Sequence, residues 1–168
     1  MKPESAKRVI FRFSKKEVSA LMKLMGLEVL PGISIAPGKP DNNTVMSLSE
    51  SAYVTPLGDR FLVDRVTALI FRSIKESGAC IIVRENQRQA VLYKCRHLLV
   101  LIENTGSQIL KIEPIENTES AKTPWVNVLK GFNDKAEAAL VINGEKISEV
   151  SGAKEAEELI DRLSDSGV

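Results

Sequence analysis

At 168 residues, 43% apolar and 27% charged, the chain has an ordinary globular composition and enough length to fold without disulfides or a metal. Its 23 Lys and Arg nearly balance 22 Asp and Glu, a formal charge of +1. It therefore lacks the basic excess with which nucleic-acid binders displace counterions. No run approaches the roughly 20 apolar residues that span a bilayer, and no signal-peptide core follows the amino terminus. The two cysteines, Cys80 and Cys95, fall in predicted strands, where free Cys behaves as a small hydrophobe. The expectation is a reduced, cytoplasmic protein built as one α+β domain over residues 1–168, with a minor boundary near 116–122.

In chain order, Val9–Phe13 predicts a strand with Val9, Phe11 and Phe13 on one face. Ser14 and Glu17 form a capping box that opens a helix carrying Val18, Leu21, Met22 and Met25 on one stripe, with Gly26 placed to end it. Leu27–Asn43, broken by Pro31-Gly32, Pro37-Gly38 and Pro40, predicts a long surface excursion. Gly38-Lys39 is not a phosphate loop, since Ile33 stands where that motif needs Gly and Pro40 where it needs Ser or Thr. A short helix over Thr44–Ala52, capped by Ser47 or Thr44, precedes extended Tyr53–Thr55 and a turn at Pro56–Asp59. Leu62, Val66, Leu69, Ile70 and Ile74 then recur at helical spacing, widened by Val63 and Phe71, and predict a largely buried helix over Leu62–Glu76.

After Ser77-Gly78 come four runs rich in Val, Ile, Leu and Tyr, near 79–84, 89–95, 98–103 and 108–115. Short breaks separate them, so they predict an antiparallel meander, with 9–13 as a further strand and helices flanking the sheet. Leu98–Ile102 is apolar without alternation, which marks a strand covered on both faces and suits the sheet centre. Pro114 marks a strand end or an edge. Glu116–Lys122 reads as a polar connector, and Thr123-Pro124 starts a helix bearing Trp125, Val128, Leu129 and Phe132. Residues 134–150 fit either a helix or a hairpin turned by Asn143-Gly144, and the hairpin is preferred. Ala156, Leu159, Ile160 and Leu163 define a terminal amphipathic helix.

No catalytic constellation stands out. His97 is the only histidine, and with Cys95 it supplies two ligands where zinc wants four. No Gly-x-Ser-x-Gly elbow occurs, and no carboxylate pair has an apolar setting that would set one apart. No catalytic residue, cofactor or metal is assigned. The contact candidates are Trp125 and Phe132 on the helical stripe and Asn86, Gln87 and Arg88 at the first meander turn, with core packing the stronger reading for a lone Trp.

The succession of strand, helix ending near Leu30-Pro31-Gly32, small helix, Leu57-Gly58 turn, long helix and meander resembles one half of the EspG-type chaperones of type VII secretion. Ser14–Met25, the Leu62–Glu76 segment and the strands after Gly78 carry that resemblance over about two thirds of the chain. It implies a cytosolic, non-enzymatic protein that binds helical secretion substrates or secretion-system components and shields their apolar tips. Those chaperones are longer and look like two related halves, so a homodimer or a related second subunit would supply what one such chain lacks. They also grip partners with an inter-strand loop, and the matching turn here, Arg84–Arg88, is short. Two other readings stand beside it. One is a winged-helix-like DNA-binding regulator, whose reading helix would offer Asp64, Arg65, Thr67, Arg72, Ser73 and Lys75. The other is an enzyme of unknown chemistry.

Overall fold

The structure, a computed structural model, describes residues 8–168. Its centre is a seven-stranded antiparallel sheet. The strands are β1 (Phe11–Ser14), β4 (Ala79–Glu85), β5 (Arg88–Lys94), β6 (Leu99–Asn104), β7 (Ile109–Ile115), β8 (Glu137–Ile142) and β9 (Glu145–Ser151), in spatial order β1-β7-β6-β5-β4-β8-β9. A separate hairpin joins β2 (Val54–Leu57) to β3 (Arg60–Val63). The fold is α+β, as the meander predicts.

Each strand has period two, so the sheet sorts its side chains into two cores. On one face Val91, Tyr93, Val100, Ile102, Leu110 and Ile112 pack beneath α1 (Lys15–Leu24), α2 (Asn42–Glu50) and α3 (Arg65–Lys75). On the other Ile81, Val83, Leu92, Leu99 and Leu101 pack beneath α4 (Thr118–Leu129) and α5 (Ala153–Asp165). β6 is thus covered on both sides, with Leu99 and Leu101 facing one core and Val100 and Ile102 the other. The middle of the seven is β5, however, and β6 lies beside it. β5 is reached because the 137–151 hairpin extends the sheet beyond β4 and moves its centre by one strand.

Local chemistry explains most boundaries. Ser14 Oγ accepts from the Glu17 amide while the Glu17 carboxylate accepts from the Ser14 amide, so the capping box forms. Asn143 and Gly144 both have positive φ (50° and 81°), the twist-matched turn that makes 134–150 a hairpin. Pro114 sits on β7 beyond Ile112, where β1 no longer pairs, so its missing N–H deprives no ladder on that side.

Four expectations are corrected. Segment 27–43 is not surface chain throughout, because Leu27, Leu30 and Ile33 are buried and Tyr93 Oη and Gln89 Nε2 donate to the Pro31 and Gly32 carbonyls. Asp41, not Thr44 or Ser47, caps α2 by accepting from the Thr44 amide at 2.7 Å. The helix expected from Leu62 begins only at Arg65, capped by Asp64, since Arg60–Val63 pairs with β2. The Glu116–Lys122 connector is instead largely helical. Asn117 caps α4 and Pro124 lies inside it, leaving the Ser120 carbonyl without its usual donor.

Candidate groove beside the fourth helix

α4 and α5 cover the sheet unevenly. They lie over β4 to β7, β8 and β9, but among the described residues no helix packs over the outer part of the sheet toward β1 on this face. The residues that project there change character to match: Leu99 and Leu101 of β6 give way to Glu103, and β7 presents Lys111 and Glu113. Cross-strand register sets Glu103 opposite Lys111, with their charged atoms 4.0 Å apart. Glu113 is only 6% exposed, and Arg8 clamps it with two hydrogen bonds.

The wall opposite is α4, through Pro124, Asn127 and Val128. Between wall and sheet lies a depression of about 280 Å³. It continues past Pro124 toward Pro114 and Ser120 at one end, and past Val128 toward Arg88, Thr105 and Phe132 at the other. There it meets the β4–β5 turn. Arg88 Nη1 donates to the Gly131 carbonyl, and Glu85 accepts from the Asn133 amide at 3.0 Å, tying that turn to the loop after α4.

Four of the five contact candidates therefore converge at one end of a single groove: Asn86, Gln87, Arg88 and Phe132. The fifth does not. Trp125 is fully buried, with Nε1 donating to the Ala156 carbonyl at 3.2 Å, and it joins α4 to α5 within the core. Sequence reasoning missed Arg8, Glu103, Lys111 and Glu113. For Lys111 and Glu113 a signal lies in the alternation Ile109, Lys111, Glu113, Ile115, which puts two charges on one face; Arg8 and Glu103 have none.

Beside α4, Arg8 pairs with Glu113 and Lys111 with Glu103, so these four charges engage one another. Burial pushes the Cys80 thiol up to about 11, and burial followed by the neighbouring Cys80 pushes Cys95 up to about 12, the opposite of what nucleophilic catalysis needs. Among the described residues no three His, Cys, Asp or Glu side chains gather as metal ligands. No helix among them is long and apolar enough to cross a membrane.

A second surface lies on the opposite side of the sheet. Leu57, Leu62, Val66 and Leu69, from the β2–β3 hairpin and α3, are all more than half exposed. The helical stripe that does face the core is Thr67, Ile70, Phe71 and Ile74. The expected single stripe is thus two stripes, one facing the core and one exposed.

No family model and no curated protein sequence matches the chain. Its fold is similar to that of a solved Mycobacterium tuberculosis type VII secretion system chaperone, EspG5, determined in complex with a PE25–PPE41 dimer. The TM-score is 0.54 at 11% sequence identity, over 73% of this chain and 51% of that one. The chain spans about half the length of the structure it matches.

Proposed function

We propose that this protein is a non-enzymatic binding protein, an adaptor or chaperone for a helical client of a type VII secretion system, working in the cytoplasm. The observation that carries the reading is the likeness of the layered sheet and helices, over 73% of the chain, to a chaperone solved with its PE25–PPE41 partner. Two features agree with it. Cys80 and Cys95 are held as neutral thiols. Two surfaces also have no covering element among the described residues, the groove along α4 and the outer face of the hairpin and α3. An amphipathic helix laid in such a place buries its apolar stripe at little conformational cost to a preformed receptor. A second copy or a related subunit belongs to the assembly in this reading.

Affinity purification from the native cell, under conditions that keep micromolar complexes, tests the proposal. It should recover a helical, secretion-associated protein in stoichiometric yield. Recovery of the chain alone would remove the reading.

A further inference from the structure

The outer face of the β2–β3 hairpin and α3 has a composition that points to one kind of occupant. Register places Leu57 and Leu62 on the same outward face of the hairpin, because Leu57 opposes Arg60 and Thr55 opposes Leu62. Only Val63 and the cap residue Asp64 separate Leu62 from α3. Val66 and Leu69 then stand one turn apart on that helix. Leu62, Val66 and Leu69 are 55%, 52% and 57% exposed, three apolar side chains within eight residues of chain that no element among the described residues covers.

Charges border this face. Arg60, Arg65, Arg72 and Lys75 are exposed, and among the described residues none forms a salt bridge. The nearby carboxylates are fewer: Asp59 in the hairpin turn, Glu76 after the helix, and Asp64, which already accepts from the Thr67 amide and hydroxyl.

We propose that this face is the docking surface for an amphipathic helix whose apolar stripe is flanked by Asp and Glu. The inference rests on the helix-binding reading above and names its surface and the client's chemistry. Aliphatic side chains on this face match an apolar stripe, and unpaired cations on its border match acidic flanks. A second copy is disfavoured by the same charges, since two-fold pairing through this face would bring the excess of cations on one copy against the same excess on the other. Duplex DNA fits poorly as well, because Val66 and Leu69 occupy the helix face where base-edge donors would have to stand.

The test uses the full chain and two fluorescein-labelled synthetic helices with one identical leucine stripe, flanked by Glu in one and by Lys in the other. Fluorescence anisotropy should show the Glu helix binding at least about tenfold tighter, a preference of the size of one well-formed ion pair. Leu69→Asp should weaken it by about tenfold, and Arg65→Glu with Arg72→Glu should abolish the preference. All three positions are exposed, so circular dichroism should show these variants folded. Equal binding of the two helices, or Glu-helix binding indifferent to Leu69→Asp, overturns the proposal. So does a dimer that Leu69→Asp dissolves, or a duplex-DNA shift that Arg65→Glu abolishes and Leu69→Asp leaves intact. Photo-crosslinkers placed at Leu69 and at Phe132 in the native cell separate this proposal from the one beneath it. Capture of a helical secretion-associated protein from Phe132 alone overturns the surface and keeps the adaptor reading. Capture from neither removes both.

Discussion

Arg8 holds Glu113 through two parallel hydrogen bonds, from Nε to Oε1 and from Nη2 to Oε2, each 2.7 Å long. The arrangement brings residues 105 positions apart into one clamp that lines the groove. The guanidinium stays half exposed while the carboxylate side chain is 8% exposed. The pair is therefore lopsided: removing Arg8 strands a buried charge, whereas removing Glu113 frees a solvated one. Arg8→Met should cost about 1–3 kcal/mol in urea unfolding. Glu113→Gln should cost less, and the double variant clearly less than the sum. Additive losses would mean that the two side chains do not act as a pair.

The Leu30-Pro31-Gly32 turn hangs from the sheet by side chains of β4 and β5. Tyr93 donates its hydroxyl to the Pro31 carbonyl, and Gln89 and Arg84 donate to that of Gly32. Gly32 has a φ of +78°, and a Cβ there would stand 3.0 Å from Ile82. Tyr93→Phe should lower stability by about 0.5–1.5 kcal/mol. Gly32→Ala should lower it more, because strain and crowding add to each other. Thermal melts of the two variants give the ranking, and an unchanged melt for Gly32→Ala would contradict the account of this turn.

Burial keeps three acidic groups neutral, which fixes how stability responds to alkali. Cys80 and Cys95 are lifted to about 11 and about 12 from an ordinary value of 9.0. Tyr93 is lifted well above its ordinary 10.0, chiefly by burial. Each folded value lies above the unfolded one, so the unfolded chain gives up these protons first as pH rises. The stability they contribute is whole below pH 9 and is lost as pH climbs through the folded values. Denaturant midpoints should therefore fall above pH 9, and Cys80→Ala should make that fall shallower. The buried Cys80 thiol should react slowly with a disulfide reagent at pH 8 in the native protein and fast in denaturant, and rapid native reaction of Cys80 would contradict its placement.

The sequence carried the fold further than the site. β-branched runs, the Ser14–Glu17 box and the Asn143-Gly144 turn are local signals, and each appears in the structure where its chemistry puts it. Two elements misled for opposite reasons. Leu62, Val66 and Leu69 keep helical spacing but sit at the end of a strand and on the outer side of α3, because periodicity defines a face without saying whether anything covers it. Pro124 looked like a helix start, yet Asn117 caps the helix earlier and the chain gives up one backbone bond to keep the longer element. The groove was illegible for a simpler reason. Arg8, Glu103, Glu113 and Asn127 come from separate elements, and only sheet order and the seating of α4 bring them together.

Trp125 is the sole tryptophan, and its burial gives a direct optical readout. Emission from the native chain should be blue-shifted and shielded from iodide, and client binding should leave it nearly unchanged. Trp125→Ala should cost about 3–5 kcal/mol, the range for emptying an aromatic core position. A large change in emission on binding a client would return Trp125 to the contact surface.

The central claim, that the chain serves a helical client bound for export, is tested most directly by deleting its gene and measuring the exported proteins. At least one helical secretion substrate should disappear from the medium and lose solubility inside the cell, and the wild-type chain should restore it. An exported set and client solubility unchanged by the deletion would contradict the claim.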